Sequence, residues 1–179
     1  MKFSRSLSII LLIVANIAID QVSKIVVRAN IEPRTETSYG EVINVIGDAF
    51  ILTNVENKGA FLGMGSDLND TLRVLLLLIL PVVVLGFVLY YIFKNKSLDR
   101  LSLIGFCFII GGGIANVFDR IVYGSVTDFF HIDLGGGIRT GIFNVADMSV
   151  TSGMIMLVIA SFIHRKKRNE FIIKKPQLN

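Results

Sequence analysis

Four apolar blocks, at about residues 7–27, 72–93, 101–118 and 147–163, constrain this chain more than any other feature of its sequence. A bilayer offers no partner to a backbone N–H or C=O, so an apolar run that crosses one must close its own hydrogen bonds as a helix. Leu72–Phe93 is the clearest case: its 22 residues would rise about 33 Å as a helix, against roughly 30 Å of hydrocarbon. Composition agrees. Hydrophobic residues make up 53% of the 179 residues and charged ones 18%, with a mean hydropathy of +0.67; a water-soluble domain carries roughly 25% charged residues. The expected fold is integral to the membrane and mainly α-helical, one domain over residues 1–179 with four transmembrane helices.

The charges orient these helices. Net charge is +4, but the basic residues sit beside the blocks: Lys2 and Arg5; Lys94, Lys96 and Arg100; Arg165, Lys166, Lys167 and Arg168. Such clustering marks cytoplasmic loops and leaves no basic stripe interleaved with aromatics to read nucleic acid. Both termini are therefore expected in the cytoplasm. Segments 28–71 and 119–146 then lie outside, and 164–179 is a polar, unstructured tail. The first block resembles a signal peptide, but Ala15-Asn-Ile-Ala18 is a poor cleavage site and Asp20, Gln21 and Lys24 follow in the same helical stretch. It reads as a retained span.

Local patterns add detail. Val42–Ile46 and Ala49–Val55 flank Gly47-Asp48 as a hairpin, and Val126–Ile132 reads as a strand before a Gly135-Gly136-Gly137 turn and a short run to Phe143. These strands predict a small extracytoplasmic sheet. Pro81 is placed to kink the second helix. Gly111-Gly112-Gly113 lacks the spacing of a phosphate loop and suits close helix packing. Cys107 reads as a buried, inert thiol.

Polar residues in or beside spans are costly and each asks for a role. Asp20 and Lys24 share a helix face as an i,i+4 pair, or one of them orders the outer loop or meets a substrate. Asn54, Asn57 and Gly59 are either turn chemistry at the end of the hairpin or a polar wall for an extended peptide. Asn116 and Arg120 share one face at the end of the third helix, with Asp119 as a sequence neighbour; the guanidinium suits a phosphate or a peptide carbonyl. Asn144-Val-Ala-Asp147 has the spacing of a helix cap, which alone accounts for Asp147. Asp128, in Val126-Thr-Asp-Phe129, has apolar neighbours that raise its pKa. Two carboxylates in unlike surroundings also meet the requirement for an acid–base division of labour. His131 and His164 provide no ligand spacing for a metal, and no cofactor is expected.

Asp20-Gln-x-x-Lys24, Asn54-x-x-Asn57-x-Gly59-Ala60-Phe61, the run Gly112-Gly-x-x-Asn116-x-x-Asp119-Arg120-x-x-x-Gly124-x-Val126-x-Asp128-Phe129, and Phe143-Asn144-x-Ala146-Asp147 occur in this order. Together they resemble lipoprotein signal peptidase (signal peptidase II), the bacterial prolipoprotein-processing aspartyl protease family, over essentially residues 7–163. The resemblance implies four transmembrane helices with an extracytoplasmic β-cradle. It also implies an endopeptidase of the bacterial cytoplasmic membrane that cleaves diacylglyceryl-modified prolipoproteins just before the lipidated cysteine. The dyad then falls on Asp128 and Asp147. Substrate contacts fall on Asn54, Asn116, Arg120 and Asn144, and supporting roles on Asp20, Lys24, Gly59 and Asp119. Prolipoprotein and membrane lipids are the expected partners of a monomer. One departure is Arg139-Thr-Gly-Ile142, where many relatives carry a Trp or Pro before the Phe-Asn run. A transporter would instead need charges near the bilayer midplane, and a non-catalytic assembly factor has no use for two carboxylates at one interface.

Overall fold

The computed structural model describes residues 4–59 and 68–174, without the side chains of 166–174; Ala60 and Phe61 of the motif lie outside the described residues. Each apolar block is a helix: α1 (Arg5–Asn30), α2 (Asp70–Lys94), α3 (Arg100–Tyr123) and α4 (Val145–Lys174). All four are long and apolar enough to cross a membrane. All four helices begin at a side chain that accepts from the first turn, Ser4 for α1, Asn69 for α2, Asp99 for α3 and Asn144 for α4, which satisfies donors the helix itself leaves open.

Two helices outrun their apolar blocks. α3 continues past Phe118 to Tyr123 and stops at Gly124, whose φ of 76° suits a residue without Cβ. Asp119 and Arg120 are thus helical residues about 100° apart around α3, in its last turn and a half as expected. α4 continues beyond Ile163 to Lys174, so the expected unstructured tail is helical for most of its length. Arg, Lys and Glu favour helix, and no Gly or Pro interrupts this run before Pro176. In α2, a π-helical turn at Leu75–Ile79 immediately precedes the Pro81 segment. Proline lacks an N–H and crowds the carbonyl four residues back, and one wide turn relieves both.

α3 is the centre of the bundle and packs against the other three helices. Its glycine triplet explains how. A Cβ on Gly111 would lie 2.6 Å from the Asn16 Cβ of α1, one on Gly113 would lie 2.7 Å from Leu85 of α2, and one on Gly112 would collide with the Ala146 carbonyl of α4. Three successive residues each admit a different helix. Gly105 and Gly153 make a second close crossing of α3 and α4. Apolar packing around Ile9, Ile13, Ile92, Cys107 and Ile110 fills the other end of the bundle, where Arg5 donates to the Asn95 carbonyl and His164 meets Asp99.

At the opposite end sits a three-stranded antiparallel sheet in the order β1-β2-β3, with β1 Ile43–Ile46, β2 Phe50–Asn57 and β3 Val126–Ile132. The hairpin and the third strand fall where the β-branched runs predict them. Pairing brings Val55 opposite Asp128 and Asn57 opposite Val126, after an irregularity between Leu52 and Val55. Side chains alternate along β3. Phe129 packs on Val27 and Ile31 of α1, while Val126 and Asp128 turn to the other face, over the bundle.

Candidate active site

Asp128 is buried, and both its oxygens accept from neutral amides: Oδ1 from Asn144 Nδ2 at 2.6 Å and Oδ2 from Asn57 Nδ2 at 2.8 Å. Asn57 can do this because it stands diagonally across the β2–β3 ladder, on the Asp128 face. Asp147, in the first turn of α4, is held the same way. Its Oδ1 accepts from Asn116 Nδ2 at 3.0 Å and its Oδ2 from the Asn144 backbone N–H at 3.2 Å. Asn144 Oδ1 in turn accepts from the Asp147 N–H at 2.9 Å, a reciprocal cap of the expected kind. One asparagine therefore starts the helix and bridges the two aspartates.

Burial pushes the Asp128 carboxyl up to about 7, helped by the nearby Asp147 and opposed by the Asn57 and Asn144 donors. Desolvation penalises the charged form, and neutral amides recover only part of that loss. The result is a carboxyl able to hold or release a proton near neutrality.

Both aspartates line a cavity of about 350 Å³, together with Asn57, Asn116 and Arg120. Its remaining wall is mostly apolar and includes Leu76 and Leu77 of the π-helical stretch and Pro81 just after it. The site is a polar floor under an apolar wall, with room for water and an extended chain. Arg120 spans it: Nη2 donates to the Gly59 carbonyl at 2.6 Å and Nη1 to the Asn116 carbonyl at 3.2 Å, while the buried Nε has no partner among the described residues. Among these residues no group of three or more His, Cys, Asp or Glu could hold a metal ion.

Below the cavity lies a wholly buried ionic cluster. Lys24 Nζ is 2.8 Å from Asp20 Oδ2 and 2.6 Å from Asp119 Oδ2. The expected i,i+4 pair exists, but Asp119 from α3 joins it and water does not reach it. Gln21 donates to Asp119 Oδ1 at 2.9 Å, and Asp20 Oδ1 accepts from the Ala146 N–H at 2.7 Å. Arg28 extends the cluster outward, donating to Thr127 Oγ1 at 2.7 Å with its guanidinium 3.9 Å from the Tyr123 ring centre. Thr127 and Ser125 both donate to Glu56.

The structure thus brings together Asp128, Asp147, Asn116, Arg120, Asn144 and Gly59, with Asp20, Lys24 and Asp119 beneath them. Asn54 is separate. It is buried away from the cavity, its side-chain amide donating to the Ile31 carbonyl at 2.9 Å and its backbone carbonyl accepting from the Arg34 N–H at 2.8 Å. The turn reading holds for Asn57, whose Oδ1 accepts from the Gly59 N–H at 2.8 Å, but not for Asn54; both lie in β2, where residues three apart point to opposite faces. Asn57 takes the cavity position, and the Asn54-x-x-Asn57 motif was the signal for it.

A sequence model described as "Signal peptidase (SPase) II" matches residues 12–163. This chain belongs to the signal peptidase II family. Among curated relatives, the lipoprotein signal peptidase of Brevibacillus brevis is 36% identical over 151 residues, covering 84% of this chain and 92% of the relative. That of Fusobacterium nucleatum is 33% identical over 165 residues, 91% of this chain and 92% of the relative. A bacterial membrane enzyme solved by the in meso method at 2.3 Å resolution superposes with a TM-score of 0.73 at 26% identity, over 96% of this chain and 94% of its own. Signal peptidase II is a protease family.

Proposed function

We propose that this member of the signal peptidase II family is an aspartic endopeptidase that removes the signal peptide from diacylglyceryl-modified prolipoproteins, cutting before the lipidated cysteine, with Asp128 and Asp147 as its dyad. The observation that carries this reading is the pair of carboxylates facing one cavity, each held by two neutral N–H donors and neither by a cation.

Asp147 as the ionised partner takes a proton from a water lying between the carboxylates. The oxygen attacks the scissile carbonyl carbon while protonated Asp128 gives its proton to the carbonyl oxygen. In the second half the proton on Asp147 passes to the leaving amine. The Asp128 carboxylate recovers the hydroxyl proton as the C–N bond breaks. Asn116 and Asn144 hold the carboxylates in register, and Arg120, whose side chain lines the cavity, meets the substrate backbone.

The apolar α2 wall suits acyl chains arriving sideways from the bilayer, and membrane lipids are then natural neighbours. The basic ends of the helices favour cytoplasmic termini, placing the sheet and site at the outer face of the bacterial cytoplasmic membrane. Nothing in the mechanism needs a second copy, so the working unit is a monomer. The test is cleavage by purified, lipid-reconstituted protein of a prolipoprotein with and without its diacylglyceryl group. Release of the signal peptide from the lipidated form alone is expected; equal cleavage of both forms, or of neither, overturns the assignment.

A further inference from the structure

The Lys24 ammonium has three N–H donors and three oxygens close around it. Two belong to Asp20 and Asp119, and the third is Asn116 Oδ1 at 2.8 Å. This contact decides which way the Asn116 amide faces. Were the amide reversed, its NH₂ would meet a buried ammonium, donor against donor, and its oxygen would meet the Asp147 carboxylate, acceptor against acceptor. With Lys24 in place, Nδ2 must face Asp147, and it donates to Oδ1 at 3.0 Å. The same cluster grips Asp147 a second way, since Asp20 Oδ1 accepts from the N–H of Ala146, the preceding residue. One side chain pair on α1 thus sets both the backbone and the carboxylate of a residue on α4.

We propose that Lys24 is a positioning residue for the reaction: through the Asn116 amide it orients and polarises the donor that keeps Asp147 ready as the base, without meeting substrate. The charged groups around Asp147 are Asp20 and Lys24 from α1, Arg120 from α3 and Asp128 from β3; the α2 wall presents Leu76, Leu77 and Pro81. Among the cations, Lys24 reaches the Asp147 side chain through a single amide.

This inference rests on the dyad reading above, and its test separates the two. Lys24→Met, Asn116→Leu and the double variant would be assayed for kcat and KM on the diacylglyceryl-modified substrate in proteoliposomes. Each single change is expected to lower kcat about 100-fold, the scale of a misplaced catalytic group, with KM little changed. The double variant should be no slower than the slower single one, because both break one chain of contacts. Losses that multiply would overturn the relay and leave Lys24 as a structural ion. Should Lys24→Met fail to fold, Asn116→Asp decides. It keeps the acceptor for Lys24 but can donate to Asp147 only when protonated, so its activity relative to the unaltered protein must rise as pH falls. A ratio that does not change with pH overturns the proposal. If Asp147→Asn itself turned over normally, the dyad reading would fail instead.

Discussion

Four carboxylates meet at one end of this bundle, and they divide into two pairs of opposite character. Asp20 and Asp119 close on Lys24, with side chains fully buried. Among the described residues, Asp128 and Asp147 have only amide N–H groups at their oxygens. A buried cation at contact distance binds a carboxylate by charge and fixes the helices it joins; neutral amides orient a carboxylate without bringing an opposite charge to it. On the proposed assignment, the first pair builds and the second reacts. Asn116 joins them, accepting from the lysine on one side and donating to Asp147 on the other.

The largest effect expected of this contrast is on turnover. Asp128→Asn and Asp147→Asn keep the volume but cannot exchange the proton. Each should lower kcat by about 10³-fold or more, beyond what one general acid or base typically contributes, with near-normal amounts in the membrane. Residual turnover within about tenfold of the unaltered enzyme in a reconstituted assay would mean that the reactive pair lies elsewhere.

Next is stability. Asp20→Ala removes one partner of a buried ion pair and the acceptor for the Ala146 N–H, and should cost about 3–5 kcal/mol, read as a lowered thermal midpoint in detergent. A midpoint unchanged within error would remove the distinction between a building pair and a reacting one.

The third effect is a slope. Asp128 has its ordinary carboxyl pKa of 3.8 raised to about 7 by burial, so folding takes up a proton between these values. The stabilisation is complete below about pH 4 and is lost as pH rises through about 7, amounting to about 4 kcal/mol at most. Asp128→Asn lacks this slope. Plotted against pH, the stability difference should move in favour of the variant from pH 4 to 8 and level off above. A flat difference would show that the Asp128 proton is not linked to folding. Turnover should fall above about pH 7 for the same reason, as the acid loses its proton.

The smallest effect is expected at Asp133, five residues beyond Asp128 in sequence. Its Oδ1 accepts from the Gly135 N–H at 2.9 Å in the turn after β3, a role an asparagine oxygen can fill. Asp133→Asn should leave kcat within about twofold and stability within about 0.5 kcal/mol. A large loss would extend the reactive region past the dyad.

Much of this was legible in the chain because the signals were local. Apolar run length specified the helices, β-branched runs around Gly47-Asp48 specified the hairpin, and the i,i+4 spacing of Asp20 and Lys24 specified their pairing. The cap spacing at Asn144 specified how Asp147 begins α4. What could not be read depended on rotation and register. Asp119 joins Lys24 because α3 turns that face to α1, and neither helix carries that angle in its own sequence. Asn57 makes the turn contact its spacing suggested, to the Gly59 N–H, but strand geometry sends Asn54, three residues earlier, to the opposite face. The run of α4 to Lys174 was hidden by its charge, since polarity argues for solvent exposure but does not forbid a helix.

Gly112 carries one more consequence. It lies one turn before Asn116 on α3, and a methyl group there would strike the Ala146 carbonyl and come within 3.0 Å of Val150. The separation of α3 from α4 at that point sets whether the Asn116 amide reaches Asp147. The precision of the dyad is thus gauged by missing atoms, through a residue that touches neither a substrate nor a proton. In a saturation-mutagenesis map, such a position would score with the aspartates of the proposed dyad while sharing none of their chemistry.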